Sequence, residues 1–423
     1  MTRKTGPTRR IILAGAAASA AATLARPALA QTPAHVVVIG GGFAGATCAR
    51  FLQRDGMSVT LVEPNANYIS CAYSNAVLGG LRDMSQQTFS YGAIEKQGVR
   101  LVRQAAAGID RDSRNVRLAD GTALAYDRLV LAPGIDLNFD ALPGYDQAAS
   151  EIMPHAWKAG PQTLLLKAQL EAMADGGTVV ISVPANPYRC PPGPYERASM
   201  IAWYLKQRKP RSKILILDAK DNFSKQGLFT AAWKEIYGPM IEWVGLSGGG
   251  KVTSIKPKEK IFVTEFGEHR ADVGNVIPPQ RAGHIALSSG IADQTGWCPI
   301  DPVTFESKLQ PGVHVIGDAC IGGGMPKSAF SANAQAKACA QAVSLMLRGR
   351  EVSSPKLINT CYSLITPDYA ISVAGVYAPN RGLLADIQGA GGVSPANAPA
   401  SVRAAEAAYA EGWYKTIAHE VFG

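Results

Sequence analysis

The chain has no apolar run long enough to cross a bilayer: its longest, Ile11 to Ala25, is about fifteen residues, where a helical span needs about twenty. No integral membrane span is therefore expected. Charged residues are only 18% and aromatics 7%, and no Lys/Arg cluster is interleaved with aromatics outside the first thirty residues. This excludes a nucleic-acid role built on phosphate neutralisation. No cysteine is followed by x-x-Cys-His, so this polypeptide attaches no c-type haem. The seven cysteines are too widely scattered for a small disulfide-stapled scaffold, and no metal site is expected.

What is present is a globular composition, 47% apolar over 423 residues, enough for two or three domains. The first thirty residues stand apart. Thr8-Arg9-Arg10-Ile11-Ile12-Leu13 opens a small-residue apolar stretch that ends in Ala28-Leu29-Ala30. That pattern predicts a twin-arginine export signal removed near Ala30 and a periplasmic location. The formal charge of +9 includes Arg3, Lys4, Arg9, Arg10 and Arg26 of this leader, so the remainder is close to balanced.

A buried-strand pattern, His35-Val36-Val37-Val38-Ile39, runs into Gly40-Gly41-Gly42-Phe43-Ala44-Gly45 and then an apolar helical stretch to about Arg54. Strand, glycine turn and helix in this order predict a dinucleotide site. Gly40 permits the tight turn, Gly42 lets the backbone approach a pyrophosphate, and Gly45 lets helix and strand pack closely, with the helix N-terminus facing the phosphates. A second strand, Ser58 to Val62, delivers Glu63, whose carboxylate is placed to accept the ribose hydroxyls. These residues alone do not separate FAD from NAD.

A second strand-helix-strand unit follows, Thr178 to Val183, Pro194 to Gln207, and Lys213 to Leu217 ending in Asp218. Where a nicotinamide site carries glycines, this one carries Pro184-Ala185-Asn186-Pro187-Tyr188-Arg189-Cys190-Pro191-Pro192-Gly193-Pro194. Prolines remove amide donors, so no NAD(P)H site is expected there. Spacing alone does not pair the cysteines.

Tyr126-Asp127-Arg128-Leu129-Val130-Leu131-Ala132-Pro133-Gly134 and Gly312-Val313-His314-Val315-Ile316-Gly317-Asp318 resemble segments of FAD-containing pyridine-nucleotide-disulfide reductases. The resemblance implies that Asp318 binds the ribityl chain or pyrophosphate of FAD. Met325-Pro326-Lys327-Ser328 then leads into an Ala-rich helix running to about Leu347, with Pro326 suited to a first helical turn. Lys327 and that helix N-terminus are expected to hold negative charge on the reduced flavin. Tyr68-Ile69-Ser70-Cys71-Ala72-Tyr73-Ser74-Asn75, Tyr188 to Arg197, Gly296-Trp297-Cys298-Pro299 and Asn359-Thr360-Cys361-Tyr362-Ser363 together resemble the flavoprotein subunit of flavocytochrome c sulfide dehydrogenase. This resemblance implies an 8α-S-cysteinyl FAD link at Cys71, a redox-active Cys190–Cys361 disulfide, and a c-type cytochrome subunit in a heterodimer. Cys48, Cys298, Cys320 and Cys339 are read as structural, with a Cys298–Cys320 bridge as a minor alternative.

The expected fold is α/β and of the disulfide-reductase type: two Rossmann-like dinucleotide-binding domains, the second degenerate, plus a C-terminal α+β domain. The expected divisions are a leader at 1–30, an FAD domain at 31–145 completed by 286–350, the degenerate unit at 146–285, and 351–423 carrying Cys361. The expected activity is oxidation of hydrosulfide to persulfide or polysulfide sulfur, with Glu196 as proton carrier and Arg189 favouring thiolate or guiding an anion. Two other readings remain: a sulfide:quinone reductase, which needs a hydrophobic path for quinone and a membrane-binding element, and an auxiliary flavoprotein of a sulfur-oxidising assembly. The aromatic stretch 404–422 is read as helix packing or partner docking, with membrane contact as the alternative.

Overall fold

The computed structural model describes residues 33–423, so the segment 1–30 expected to be an export leader lies outside the described residues. The first unit is built from β1 (His35–Ile39), α1 (Phe43–Arg54), β2 (Ser58–Val62), β3 (Arg100–Val102) and β4 (Arg128–Leu131). Strand β1 pairs in parallel with β2 on one side and β4 on the other. A central parallel strand is covered on both faces, which is why HVVVI is a continuous apolar run rather than an alternating one. Gly40 turns with φ +98°, and a Cβ on Gly45 would stand 1.9 Å from the Gly40 carbonyl oxygen. The glycines at those two positions are thus required by backbone geometry and by close approach.

The second unit comprises β5 (Thr178–Val183), α2 (Gly193–Arg208), β6 (Lys213–Asp218), α3 (Gln226–Ile236), β7 (Ile241–Val244) and β8 (Val273–Val276). Its four strands form a parallel sheet in the order β7-β6-β5-β8. The chain then returns to the first sheet through β9 (Val313–Val315), which pairs in parallel with β4 to give the five-strand order β9-β4-β1-β2-β3. The α/β fold with two Rossmann-type units stands as expected.

Helix α4 (Ala329–Leu347) follows β9 and packs along α1. Its start differs from the expectation built on Pro326. Ser328 is the N-cap, its side chain accepting the Ser331 amide at 3.0 Å, because a serine oxygen satisfies an orphan helix donor that proline at an earlier position does not.

The last part is an antiparallel hairpin, β10 (Leu357–Thr366) and β11 (Tyr369–Asn380), extended by β12 (Leu383–Asp386), followed by α5 (Ala400–Phe422). Helix α5 is pinned to the first unit by aromatics. Phe422 stacks on Tyr68 at 4.9 Å and on Phe89 at 5.2 Å, and Tyr414 stacks on Tyr73 at 5.1 Å. Arg82 lies over both Tyr73 and Tyr414 and pairs with Glu411 at 2.6 Å. Among the described residues no helix is long and apolar enough to cross a membrane.

Where the units meet, the Arg197 guanidinium of α2 is buried, 2% exposed. It donates to the side-chain oxygens of Asn75 at 3.1 Å and Asn275 at 2.9 Å, and to the carbonyls of His155 at 2.9 Å and Ala156 at 2.6 Å. It also lies over the Trp157 ring at 4.9 Å. Burial lowers its pKa to about 10, still cationic at neutral pH. Replacing it leaves several buried acceptors unsatisfied, each costly. Arg197→Met is expected to lower unfolding free energy by about 3 kcal/mol, measured by urea titration against the wild type.

Candidate functional site

A cavity of about 540 Å³ lies between the first glycine turn, the proline loop before α2, the Asp318 segment and β10. Gly40, Gly42, Glu63, Cys71, Cys190, Glu196, Asp318 and Cys361 all line it. Four distant stretches of sequence therefore converge on one space. Gly45 does not line it; its role is the α1–β1 contact described above.

Each wall has a local reason. Gly42 caps α1 in extended conformation, so the helix N-terminus opens into the cavity, and a Cβ there would already touch the Tyr68 ring at 3.4 Å. Glu63 is more committed than expected: its Oε2 accepts the Gly41 amide at 2.8 Å, and its Oε1 accepts both the Asn65 amide and side chain. It braces the glycine loop while leaving one lone pair of Oε2 for a ligand hydroxyl. Asp318 Oδ1 is buried with no hydrogen-bond partner, and burial raises the pKa of its carboxyl despite Arg189 and Lys327 nearby. A buried polar atom without a partner is costly, and here it marks a place for a ligand donor. A helix N-terminus, a glycine loop and an orphaned acid fit the pyrophosphate and ribityl chain of FAD.

Lys327 differs from the expectation. Its ammonium donates to the carbonyls of Asp318 and Cys320, each at 2.7 Å, and sits 3.8 Å from the Trp297 ring centre. It does not line the cavity. The strand-end carbonyls and the indole face satisfy the cation locally, so it braces the Asp318 turn, while Ser328 and Ala329 at the α4 N-terminus face the cavity instead. Among the described residues the cavity wall holds two cations: Lys158, paired with Asp136 at 2.7 Å, and Arg189, whose guanidinium donates to the Trp157 carbonyl and feels Cys71, Asp318, Tyr68 and Cys190.

Three sulfurs also line the cavity. Cys71 Sγ accepts the Ala159 amide at 3.4 Å and donates to the Trp157 carbonyl at 3.5 Å. Cys190 has left-handed backbone, φ +59°, held by its amide to the Lys327 carbonyl at 2.8 Å and by its carbonyl accepting the Gly193 amide at 2.8 Å. The Arg189 amide is likewise taken, by Gln280 at 2.9 Å. Cys361 enters from β10. All seven cysteines are thiols in this structure. Burial pushes the Cys190 thiol well up, with Cys361 and Glu196 adding to it and Arg189 and Lys225 opposing; burial also raises Cys361, against Lys225. Glu196 accepts the Leu364 amide at 3.0 Å and the Asn75 amide group at 2.9 Å, and burial raises its carboxyl pKa nonetheless.

The remaining cysteines are all buried. Cys298 and Cys320 are neighbours in a short parallel bridge. Gly193 and Lys225 were missed by sequence reading. A Cβ on Gly193 would lie 2.9 Å from Cys190 Sγ and 2.9 Å from the Trp157 ring; a glycine heading a helix two residues past a cysteine-proline pair was the available signal.

Comparison with known proteins places these elements. The central family profile of the sulfide dehydrogenase [flavocytochrome c] flavoprotein chain matches residues 163–278, the flavocytochrome c sulphide dehydrogenase flavin-binding profile matches 353–422, and the pyridine nucleotide-disulphide oxidoreductase profile matches 34–159. A sulfide dehydrogenase [flavocytochrome c] flavoprotein chain from Chlorobaculum thiosulfatiphilum is 52% identical over 45 residues, 10% of this chain and 94% of that sequence. Mouse mitochondrial sulfide:quinone oxidoreductase is 23% identical over 337 residues, 75% of this chain and 72% of that one. The solved sulfide:quinone oxidoreductase of Aquifex aeolicus superposes with a TM-score of 0.71 at 18% identity, covering 92% of each chain, and carries the fold alone.

Gly193→Ala is expected to push Cys190 Sγ out of place, since the new methyl has nowhere to go. Alkylation of Cys190 in the reduced protein, followed by mass spectrometry, should change rate by several fold while Cys71 reacts as before; equal rates at Cys190 would show the contact is slack.

Proposed function

We propose, for a chain that belongs to the flavocytochrome c sulfide dehydrogenase flavoprotein family, that it is the FAD-carrying subunit that oxidises hydrosulfide at a Cys190–Cys361 disulfide and hands electrons to a separate c-type cytochrome. FAD-dependent oxidation of sulfide is the property of the family. The observation that carries the finer reading is the sharing of one cavity by Cys190, Cys361 and Glu196 with the glycine loop and Asp318.

In this reading hydrosulfide adds to one sulfur of the pair as the S–S bond breaks, leaving a persulfide on one cysteine and a thiolate on the other. Transfer of the outer sulfur to a second hydrosulfide would release a disulfane anion and leave both cysteines as thiolates; FAD, which the glycine loop, the α1 N-terminus and Asp318 would hold, would supply the two-electron acceptor that restores the disulfide. Arg189 holds the charge of arriving anions beside Cys190. Glu196, held between Leu364 N and Asn75, moves the sulfur proton; its raised pKa keeps it protonated to higher pH than an ordinary carboxyl, so its base form is present only above that raised value. Cys71, at the cavity wall with only weak contacts from Ala159 and Trp157, is the residue for covalent attachment of the flavin. The proline loop spends its Cys190 and Arg189 amides on Lys327 and Gln280, which supports electron entry from sulfide rather than from NAD(P)H.

The acceptor side is a surface groove of about 1030 Å³. Phe330 and Trp413, stacked at 6.4 Å and 6°, line both that groove and the cavity. Arg54, Asp55, Lys337 and Glu420 also line the groove, a charged setting suited to a protein partner. The leader motif Thr8-Arg9-Arg10 supports a periplasmic location, where such a cytochrome would be met. A quinone acceptor is the second reading, supported by the similarity to the mouse sulfide:quinone oxidoreductase.

Sulfide with purified protein should reduce an added c-type cytochrome and not a soluble quinone; the reverse preference would replace the first reading by the second, and neither reaction would support an auxiliary role. Cys190→Ser and Cys361→Ser should each lower sulfide oxidation by about a hundredfold or more, the scale of losing a member of a reacting pair. Denatured wild-type protein should yield a peptide containing Cys71 that carries the mass of FAD, and loss of flavin on acid precipitation would exclude the link. Glu196→Gln should remove the acidic limb of the pH–rate profile.

A further inference from the structure

Lys225 precedes α3 and is 8% exposed. Its backbone is left-handed, φ +63°, a conformation that non-glycine residues hold only where the surroundings impose it. The ammonium donates to the Cys361 carbonyl at 3.1 Å, the Ser363 hydroxyl at 2.9 Å and the Ile371 carbonyl at 3.3 Å. Every one of these acceptors is neutral. Among the described residues the ammonium has no carboxylate partner.

The nearby acids are committed elsewhere. Glu196, from α2, accepts from Leu364 and Asn75. Glu406, from α5, accepts from Ser372 and Ser394 and pairs with Arg403 at 3.3 Å. A buried cation with no carboxylate in direct contact is expensive to keep, and this one is held at the backbone of Cys361, where an anionic sulfur would complete its charge balance.

We propose that Lys225 is the counter-cation for the anionic sulfur formed at Cys361. The inference rests on the sulfide-oxidising reading above and adds a positioning residue to it. Attack of hydrosulfide on Cys190 Sγ breaks the S–S bond and leaves the electron pair on Cys361 as thiolate. Attack on Cys361 Sγ leaves the thiolate on Cys190 and the persulfide on Cys361, and loss of the persulfide proton to Glu196 makes that terminal sulfur the anion. Either opening places negative charge at residue 361. The ionisable groups that act on this sulfur are Lys225 before α3, Glu196 of α2 and Cys190 of the proline loop, and its thiol donates to the neutral Tyr362 carbonyl at 3.8 Å. Only Lys225 among them is positive. Burial pulls the lysine's own pKa down, while Cys361, Glu196, Cys190 and Glu406 push it back up.

The test needs no turnover, so it stands apart from the fate of the functional reading. Full-length protein is reduced with a phosphine and alkylated with iodoacetamide across a pH series, and each cysteine peptide is quantified by mass spectrometry. In Lys225→Met the ionisation midpoint of Cys361 should rise by about one unit, a tenfold loss of thiolate at neutral pH, with Cys71 unchanged. Lys225→Arg should restore it. An unmoved midpoint in the Met variant, or an equal rise in the Arg variant, overturns the proposal, because shape rather than charge would then be at work. Should the Met variant not fold, the wild type decides: Cys361 alkylated at lower pH than Cys190 supports the proposal, and the opposite order overturns it.

Discussion

The cavity depends on one buried guanidinium. Arg197 ties Asn75 beside the Cys71 turn, Asn275 on β8, and the carbonyls of His155 and Ala156 to helix α2. The segment after Ala156 carries Trp157, whose carbonyl receives Cys71 Sγ and Arg189 and whose ring closes on Gly193. A planar, multiply donating cation fixes several directions at once, whereas a lysine would fix a point. Loosening it would free the Cys71 turn, the Cys190 loop and the Glu196 carboxyl together, since all three reach the cavity from elements it joins.

Around that anchor the charges are sorted by side. The α1 and α4 N-termini face the end where the glycine loop and Asp318 stand, suited to phosphate, while Arg189 stands within reach of both Asp318 and Cys190. Lys225 stands behind Cys361, and Glu196 lies between the two sulfurs' elements. Lys327 spends its charge on holding the Asp318 turn to Trp297. A site that must admit an anionic sulfur species and host a multiply charged cofactor keeps its cations in separate tasks, since two free cations in one low-dielectric space would repel.

The C-terminal hairpin and α5 serve two ends. Strand β10 carries Cys361 to the cavity, and its neighbour β11 offers Ile371 to Lys225. Helix α5 locks onto the first unit through Phe422 and Tyr414 and presents Trp413 at the thin wall between cavity and groove. The aromatic stretch that, in sequence, could have meant membrane contact is thus largely accounted for by packing within the protein.

Much of this was legible in the chain. The strand-glycine-helix unit, the loss of glycines in its echo, and the convergence of Cys71, Cys190, Asp318 and Cys361 follow from local rules and a family resemblance, because turn geometry and amide supply are written within a few neighbouring residues. What tertiary structure alone decided is which charged group faces what. Lys327 turned from ligand to brace, Glu63 gave most of its lone pairs to its own loop, and Lys225 came to rest against a strand 136 residues away. Partners so distant in sequence are selected by packing and by the need to satisfy every buried polar atom, and no spacing in the chain records that choice.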